Sequence, residues 1–348
     1  MKILGISDIH FESWKNYSSI DERGINSRLT DTHTAIKEAA DYSNSHNIDL
    51  VVFGGDLLHR RKTVEIQALN LAYDALDYFN APMLALSGNH DQSDRNGDWH
   101  SLQLLKAFGS IEVIDKPKRC ETPVGDFLCL PYSENRQTLQ DIAKAKTFNF
   151  LLAHVGVQGA KLGSDYVYQN ENDPSVEDLH FDNFDFCFLG HFHSFQYLAS
   201  NAVYIGSSTQ HNWGDSGDKR GFVVYDTETK KLEHIELDAP KFIKIDKEDL
   251  LDKDVLRTLK GNFVRITSDE DVLSSKLCKF IDKLEVRSLE VIPVQKKREE
   301  RESRLQADIK NDSKELINQY VKTQNIDGLD VEYLISMGLE ILQEVEGK

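Results

Sequence analysis

The sequence lacks long apolar runs, although 40% of its 348 residues are hydrophobic. No stretch approaches the roughly 20 consecutive apolar residues of a membrane-spanning helix, so we expect no transmembrane segment. Residues 1–5 lead directly into a strand pattern and lack the extended hydrophobic region of a secretory signal. Internal repeats and low-complexity tracts are also missing. These absences predict a globular, cytoplasmic protein with no membrane contact.

Cysteine is scarce. The chain has four cysteines, and none of them forms a Cys-x-x-Cys pair. Cys187 lies inside the apolar run 184–189, and we expect it, with Cys120, Cys129 and Cys278, to be a reduced and mostly buried thiol. A disulfide between Cys120 and Cys129 is the alternative that the sequence leaves open.

Positive charge is in deficit, with 41 Lys and Arg against 58 Asp and Glu and a formal net charge of −17. A negative field repels nucleic acid, so this balance argues against broad, unaided binding to it. It does not exclude a nuclease, because bound metal ions reverse the field locally. A DNA substrate would require local basic patches, metal ions and a partner that supplies affinity.

The first 193 residues contain five short motifs rich in histidine and carboxylate. They are S-D-I-H (Asp8, His10), G-G-D-L-L-H (Asp56, His59), G-N-H-D (Asn89, His90, Asp91), A-H-V-G (His154) and G-H-F-H (His191, His193). Most follow an apolar run and have a glycine beside them. This arrangement brings ligands from separate strand ends to one point.

The candidate ligands among these residues are four imidazoles (His10, His154, His191 and His193), two carboxylates (Asp8 and Asp56) and the amide oxygen of Asn89. This mixture suits manganese, iron or zinc better than magnesium alone, and the lack of a thiolate argues against a closed structural zinc site. Asp56 follows two glycines, which allow a tight turn that brings its carboxylate close to cations. Two divalent ions that share a carboxylate form a centre for attack on a phosphate ester.

His59 and His90 lie beside these ligands without being required by them. The leaving alkoxide of a phosphate ester needs a proton, and an imidazole near pH 7 can donate one. We assign His90 as the general acid and His59 to orienting the scissile phosphate. Two alternatives stay open at this point: Asp91 orients a neighbouring imidazole, and His59 is an ordinary surface histidine.

Short β-rich runs alternate with helical patterns up to about residue 235. The predicted strands are residues 2–7, 50–53, 82–87, 126–130, 148–153, 184–189, 203–205 and 222–226. Several are apolar throughout, as strands covered on both faces should be. Helical patterns at 30–45 and 63–79 separate the early strands. We therefore predict a mixed α/β core of two packed sheets flanked by helices.

The pattern at 63–79 is apolar on several sides, so this helix needs more than one packing partner. One interpretation is deep burial within the monomer. The other is a dimer contact shared with the apolar residues of the next segment, which are Trp99, Leu102, Leu105 and Phe108.

The remaining sequence predicts a small β-α-β-α-β unit at 241–294, with its helices at 254–259 and 273–284. A mixed-charge run at 296–304 predicts a solvated linker, with a DNA or partner contact as the alternative. Two short helices follow within 312–345, the second capped by Asp330; they either fold back or present apolar faces to another protein. The predicted domains are residues 1–238, 239–294, 295–311 and 312–348.

In this order the motifs resemble the calcineurin-like metallophosphoesterase superfamily, and within it the SbcD-type nuclease subunits of double-strand-break repair and recombination. Residues 202–226 resemble the compact members found in bacteriophages, which would place the chain in a host cytoplasm. The resemblance implies a two-sheet metallophosphoesterase sandwich, a capping domain at 239–294 and an ATPase-binding helical tail.

The resemblance also implies roles for individual residues. One metal would be held by Asp8, His10, Asp56 and His193, the second by Asp56, Asn89, His154 and His191, and the usual ion is manganese. It implies a homodimer joined to an SbcC-like coiled-coil ATPase, with exonuclease activity on double-stranded DNA and endonuclease activity on single strands. Ser207 and Ser208 stand where members more often have proline, so the geometry of the following loop, with His211 and Trp213, stays open.

A phosphoprotein phosphatase or cyclic-nucleotide phosphodiesterase on the same core is the main rival, and a non-enzymatic scaffold is a third possibility. Those esterases typically have an aspartate where this chain has His59, and the protein phosphatases follow it with Arg-Gly. Here Arg60 and Arg61 follow. The phosphatases also end the asparagine motif in glutamate, whereas this chain has Asp91. These differences favour a nuclease.

Overall fold

The computed structural model describes residues 1–94, 96–134, 148–162, 166–268, 285–293, 317, 320–322 and 330–346. The chain divides into two compact units, Met1–Pro293 and Val294–Lys348. The first unit contains two six-stranded sheets, a three-stranded sheet and a two-stranded pair. It therefore has the mixed α/β architecture with two large sheets that the sequence predicts.

Fourteen strands form the two large sheets and the small pair. They are β1 (Lys2–Ile6), β2 (Leu50–Phe53), β3 (Met83–Leu86), β4 (Ile111–Ile114), β5 (Lys118–Thr122), β6 (Gly125–Leu130), β7 (Phe150–His154), β8 (Lys161–Leu162), β9 (Tyr166–Val167), β10 (Phe186–Gly190), β11 (Gln196–Ala199), β12 (Ala202–Tyr204), β13 (Gly221–Asp226) and β14 (Lys231–Glu236). The first sheet has the order β14-β13-β1-β2-β3-β4 and the second β11-β12-β10-β7-β6-β5, while β8 and β9 pair with each other.

The central strands of both sheets are parallel. In the first sheet β1, β2, β3 and β4 run in one direction, and in the second β6, β7, β10 and β12 do the same. The carboxyl ends of parallel neighbours meet at one edge of a sheet. The residues that follow these strands are therefore brought close together in each sheet.

Helices and short 3-10 helices lie between the strands. They are α1 (Ser27–Ser45), α2 (Ile66–Asp77) and α3 (Lys253–Leu259), with 3-10 helices at Ser101–Ala107, Phe181–Asn183, Trp213–Asp215 and Lys247–Leu251. Asn26 is the N-cap of α1, since its side-chain oxygen accepts a hydrogen bond from the amide of Arg28.

The core is layered because successive strand residues point to opposite faces. Ile3 and Val52 belong to the cluster that joins the two sheets. Their neighbours Leu4 and Phe53 belong to the cluster that covers α1 and α2. All four residues of β2 are buried, so its unbroken apolar run follows from burial on both faces.

The eight predicted strands are all present, within two residues at their ends, and they occupy interior positions in the two sheets. Sequence patterns did not predict the short pair β8 and β9, nor the edge strands of the two large sheets, which are β4, β5, β11 and β14. Edge strands are half exposed; β14, for example, alternates exposed and partly buried residues. Such strands carry charged side chains and lack the continuous apolar run on which the prediction relied.

The helix pattern predicted at 63–79 begins later, since α2 spans Ile66–Asp77. Deep burial of this segment is wrong: Ile66 is 73% exposed and Val64 is 47% exposed. Trp99 and Leu104 of the following segment are also largely exposed, at 70% and 60%. The buried face of α2 consists of three alanines and one leucine, which are Ala68, Ala72, Ala75 and Leu76.

The three-stranded sheet follows the pattern predicted for 241–294. It consists of the parallel strands β15 (Phe242–Asp246), β16 (Phe263–Ser268) and β17 (Ser288–Pro293), in that order. Helix α3 lies between the first two strands, and the helix predicted at 273–284 lies outside the described residues. This sheet contacts α1 through Arg287, which donates hydrogen bonds of 2.6 and 2.8 Å to Asp31.

The second unit contains α4 (Val331–Glu346). The predicted cap is confirmed, because Oδ1 of Asp330 accepts hydrogen bonds from the amides of Glu332 and Tyr333 at 3.0 and 3.2 Å. The charged run at 296–304 and most of the first predicted tail helix lie outside the described residues. The domain boundaries at 238, 294 and 311 stay predictions.

The expectation of reduced, buried cysteines is met where the structure describes them. Cys120, Cys129 and Cys187 are free and buried, whereas Cys278 lies outside the described residues. Within the described ranges, no helix has both the length and the apolar character that crossing a bilayer requires.

Candidate metal centre

The seven predicted metal ligands come together where the central strands of the two sheets end. Asp8 follows β1, Asp56 follows β2 and Asn89 follows β3, while His154 ends β7 and His191 follows β10. The first two loops are joined by main-chain hydrogen bonds, from the amide of Asp8 to the carbonyl of Gly55 (2.9 Å) and from His10 to Asp56 (3.0 Å). Parallel strand order thus converts motifs far apart in sequence into one cluster.

Asp56 occupies the middle of this cluster. Its Oδ2 lies 3.5 Å from Nε2 of His10 and 3.6 Å from Nε2 of His154. On the second side, Oδ1 of Asn89 lies 2.9 Å from Nε2 of His154 and 3.0 Å from Nδ1 of His191. The carboxylate of Asp56 therefore stands between the two predicted ligand sets, as a bridging ligand must.

Among the described residues, three overlapping groups of donor atoms are close enough to hold a metal ion. The first is Asp8, His10 and His193, the second is Asp8, Asp56 and His154, and the third is His10, His59 and His90. In each group the ligand atoms lie within 4.8 Å of one another. The rings of His10 and His193 are 4.8 Å apart between centroids. The first two groups contain five of the seven predicted ligands and share Asp8, and Asn89 contacts the other predicted ligand, His191, as well as His154.

The backbone at this centre adopts a rare conformation. Asp8, His10, Asp56 and His191 have φ values of 49°, 52°, 62° and 112°, in or beside the left-handed region that non-glycine residues seldom occupy. Such conformations persist only where surrounding contacts hold them, and they are concentrated at functional sites. Gly88 is required for a related reason, because a Cβ there would lie 2.2 Å from Oδ1 of Asp56.

Hydrogen bonds fix the orientation of the ligand side chains. The hydroxyl of Ser7 donates to Oδ2 of Asp8 at 2.6 Å, and the amide of His191 donates to both oxygens of Asp8 at 3.1 Å. Nδ1 of His154 lies 2.7 Å from the carbonyl of Gly54. Since a carbonyl only accepts, Nδ1 of His154 carries the proton and Nε2 is left as the ligand atom.

Asp91 supports the loops and does not orient a histidine ring, so that alternative is wrong. Its carboxylate accepts hydrogen bonds from the main-chain amides of Asp56 (2.8 Å), Leu57 (3.0 Å) and Gly88 (2.9 Å). The hydroxyl of Ser101 donates a fourth, at 2.9 Å. One buried carboxylate therefore ties the loop after β2 to the loop after β3.

The electrostatics of the centre favour bound cations. Burial raises the pKa of Asp8 to about 7, and burial together with the charge of Asp8 raises the pKa of Asp56 well above its ordinary value. Burial lowers the pKa of His10 and His154 far below the usual range and that of His193 to about 4. Neutral imidazoles beside buried carboxylates are the ligand forms that divalent metals take.

An unpartnered ligand atom supports the same interpretation. Nε2 of His10 is buried and has no hydrogen-bond partner among the described residues. Buried polar atoms are nearly always paired, so one aimed among carboxylates and imidazoles indicates a position that binds a cation. The residues present therefore fit a pair of divalent ions.

The two histidines assigned to catalysis lie at the rim of this cluster. His59 is half-buried, and its Nδ1 lies 3.3 Å from Nδ1 of His10, so it is not an isolated surface residue. Nδ1 of His90 donates to the carbonyl of His59 at 2.6 Å. The two rings stack at 5.2 Å. Burial lowers the pKa of both His59 and His90.

Two aromatic side chains for which the sequence predicted no role, His211 and Trp14, lie beside the ligands. His211 is buried, and its ring centroid lies 5.3 Å from that of His10 and 4.8 Å from that of His193. Trp14 lies between His59 and His211, at 4.6 and 5.8 Å. The signal for His211 was present, since the loop after Ser208 departs from the family pattern. No motif marked Trp14.

Comparison with known proteins gives a family match over the same motifs. The family profile of calcineurin-like phosphoesterases matches residues 1–195. Exonuclease subunit 1 of Enterobacteria phage T4 is 27% identical over 246 residues, which cover 68% of this chain and 67% of that protein. A subunit of the nuclease SbcCD from Staphylococcus epidermidis is 24% identical over 264 residues, with 67% of each covered. A protein of Invertebrate iridescent virus 6 named as a phosphoesterase is 28% identical over 231 residues, covering 62% and 73%.

The matched segment contains every motif from Asp8 to His193 and more than half of the chain. The prediction of a metal-dependent phosphoesterase is confirmed at this level. The family uses a pair of divalent metals, and the overlapping donor groups described above contain candidate ligands for them. The chain belongs to the calcineurin-like phosphoesterase family.

Proposed function

We propose that this chain is the nuclease subunit of an SbcCD-like complex and hydrolyses DNA phosphodiesters with two manganese ions. We infer exonuclease action on double-stranded ends and endonuclease action on single strands, in cytoplasmic recombination, repair or replication. The observation that carries the proposal is the position of Asp56 between two sets of imidazole and carboxylate donors. The relatives named as exonuclease and nuclease subunits support the choice of DNA as substrate.

The proposed ligand sets follow the two sides of Asp56. The first set is Asp8, His10, Asp56 and His193, and the second is Asp56, Asn89, His154 and His191. When bound, two divalent ions supply Lewis acidity at the phosphoryl oxygens and a hydroxide near neutral pH. The protein side of this chemistry is the fixed orientation of the side chains, which the hydrogen bonds to Asp8 and His154 provide.

We assign His90 to giving the leaving oxygen a proton from its imidazolium form, which is the minor form at pH 7 because burial lowers its pKa. Its Nδ1 is committed to the carbonyl of His59 at 2.6 Å, so Nε2 is the atom that can exchange a proton with substrate. A donor in this position contributes by general acid catalysis when the P–O bond breaks. His59, which stacks on the same ring, would contact and orient the phosphate.

A local basic patch would offset the repulsion between DNA and a protein with a net charge of −17. Arg60, Arg61 and Lys62 follow His59 and are exposed. A surface groove beside them is lined by the basic residues Lys15 and Arg60, by the hydroxyls of Ser13, Ser18, Ser19 and Thr63, and by Ile20, Asn26, Val64 and Glu65. The cations and hydroxyls are suited to the phosphates of a nucleic-acid strand. Arg60 is held in place by Glu12, at 2.5 to 2.9 Å.

Exposed apolar residues support the proposed partners. Ile66, Trp99 and Leu104 expose 73%, 70% and 60% of their surface, and we assign them to a homodimer interface. On α4, Tyr333 and Ile341 are 61% and 59% exposed. These two residues lie about 80° apart around the helix, with the partly exposed Met337 between them. We assign the face that they form to the SbcC-like ATPase, which together with the dimer makes a heterotetramer.

The purified full chain should be assayed with manganese or magnesium, with and without the candidate ATPase. The substrates are blunt and hairpin double-stranded DNA, circular single-stranded DNA and bis(p-nitrophenyl) phosphate. We expect manganese-dependent cleavage of DNA ends and of the circle, and we expect loss of both in Asp56→Asn. Hydrolysis of the small diester with no cleavage of any DNA would contradict a nuclease and favour a phosphodiesterase. Matched preparations of His234→Phe, a variant outside the cluster, serve as the control.

A further inference from the structure

His211 lies beside the candidate metal centre and is not part of the family pattern. It lies in the loop between β12 and β13, after the two serines that depart from the pattern. Its residue is 5% exposed. Its ring meets the rings of His10 and His193 edge-on, at 5.3 and 4.8 Å between centroids. Both of these neighbours belong to the same proposed ligand set.

The imidazole of His211 has an unsatisfied nitrogen. Nε2 is enclosed by protein and has no hydrogen-bond partner among the described residues. Nε2 of His10, in the adjacent ring, is in the same state. Two buried, unpaired nitrogens in neighbouring rings are costly in the metal-free protein, because buried polar atoms are normally paired. One bound cation would pair both.

The ring is also held in place by contacts on both sides of its backbone. The amide of His211 donates to Oδ2 of Asp215 at 2.7 Å, and its carbonyl accepts from Nη2 of Arg28 at 3.0 Å. Trp14 stacks on the ring at 5.8 Å with an interplanar angle of 27°. A side chain fixed in this way is preorganised, so that it loses little conformational entropy when it binds an ion.

We propose that His211 is an additional nitrogen donor to the metal ion of the Asp8, His10 and His193 side. The inference rests on the two-metal centre proposed above and adds one ligand to it. A first-row ion such as manganese accepts up to six donors, so the four ligands assigned to this ion leave room for a fifth. A further imidazole shifts the preference of this site away from magnesium, which favours oxygen donors.

The test is metal binding by His211→Phe, which keeps a flat ring against Trp14 and removes both nitrogens. Isothermal titration with manganese should show one site weakened about 10–100-fold, as for loss of other groups that support a metal, and one site unchanged. Pulsed electron paramagnetic resonance of the bound manganese should show one nitrogen coupling fewer. Unfolding temperature should rise less on metal addition than in the wild type.

A second variant and a control keep the result interpretable. His211→Gln restores a polar side chain and should also lack the nitrogen coupling, which guards against a folding defect of the phenylalanine variant. His234→Phe is the matched control, because His234 also has a buried, unpaired Nε2 and stacks on an aromatic ring, that of Phe195, at 4.4 Å. It should bind both ions as the wild type does.

Asp56→Asn separates this inference from the proposed function. It should weaken both sites, since Asp56 stands between the two ligand sets. If Asp56→Asn bound two manganese ions like the wild type, the metal centre itself would be wrong. If Asp56→Asn lost metal while both His211 variants kept wild-type affinity and nitrogen couplings, only the assignment of His211 would be overturned.

Discussion

The main-chain amide of His90 donates a hydrogen bond of 2.7 Å to Oδ1 of Asp56. The other oxygen of Asp56 lies among the imidazole nitrogens of the ligand cluster. The backbone of the proposed general acid therefore orients the proposed bridging carboxylate. Because this contact uses the main chain of His90, its side chain can be changed while the carboxylate stays in position.

That separation makes His90→Gln informative. Glutamine cannot act as the acid, so DNA cleavage should fall by about 10²–10⁴-fold, the usual contribution of a general acid. Manganese content and unfolding temperature should stay near wild-type values, since the amide of residue 90 still reaches Asp56. Cleavage rates and bound metal should be measured on the same preparation. Wild-type cleavage would remove His90 from the acid role.

Asp91 provides a prediction about stability. Its carboxylate accepts three main-chain amides and the Ser101 hydroxyl in a buried position, and hydrogen bonds to a charged group contribute about 1.5–3 kcal/mol each. Asp91→Asn turns an amide group toward these donors, and we expect a loss of about 2–4 kcal/mol in unfolding free energy. Ser101→Ala removes one contact and should cost about 1 kcal/mol.

Urea unfolding of the metal-free protein measures both variants. The manganese affinity of Asp91→Asn should also fall, because the amides that Asp91 holds belong to the loops carrying Asp56 and Asn89. Equal stability of the two variants would show that Asp91 is one contact among many and does not organise the loops.

The carboxylates of the centre predict proton release on metal binding. Burial raises the pKa of Asp8 to about 7, so the metal-free protein holds a proton there at pH 6, whereas metal binding requires the ionised form. Burial lowers the pKa of His193 to about 4, so this imidazole contributes no proton at that pH. The part of the proton release that Asp8 supplies, measured as the difference from Asp8→Asn, should therefore be largest near pH 6 and fall as pH rises through 7. Asp56, whose pKa burial also raises, adds a release of its own.

Calorimetry in paired buffers of different ionisation enthalpy at pH 6, 7 and 8 measures this release. The same shift has a consequence for stability: a folded-state pKa above the unfolded value of about 4 means that the folded protein binds more protons. The contribution of Asp8 to the stability of the metal-free protein, measured as the difference from Asp8→Asn, should fall as pH rises from about 4 to 7. The lowered pKa values of His10, His154 and His193 act in the opposite direction over this range. Proton release from Asp8 that increased with pH would contradict its raised pKa.

The sequence was informative where chemistry or burial imposes a pattern. Strands with both faces covered have continuous apolar runs, as in β2, and all eight predicted strands lie inside the sheets. The motifs place ligands such as Asp8 and His191 at strand ends. Parallel order then brings those ends together.

What the sequence could not supply depends on contacts between distant segments. Edge strands such as β14 carry no continuous apolar run and are recognised only by their neighbour, β13. Asp91 lies in a ligand motif, and only the structure shows that it holds main-chain amides. The position of His211 beside His10 depends on a loop whose departure from the family pattern left its geometry open.

The exposed apolar residues around α2 predict a dimer that a single charge disrupts. Ile66→Asp and Leu104→Asp should each convert a dimer to a monomer, because an unpaired carboxylate is costly in an apolar interface. Leu251→Asp is the matched control, since Leu251 is 88% exposed and lies outside this segment. Sedimentation velocity on the full chain reports the state. An unchanged dimer in both variants would place the interface elsewhere.

We expect the C-terminal tail to be needed for binding to the ATPase but not for DNA cleavage. Deleting residues 312–348 should leave manganese content and cleavage of single-stranded DNA near wild-type levels, because every proposed ligand of the two family sets lies before residue 194. Association with the ATPase should weaken, since the exposed face of α4 is removed. Tyr333→Asp with Ile341→Asp should have the same effect in the full chain, whereas Glu332→Gln, an exposed change on the other side of the same helix, should not. A pull-down with the ATPase that captured wild-type and deleted chains equally would rule out the tail as the docking segment.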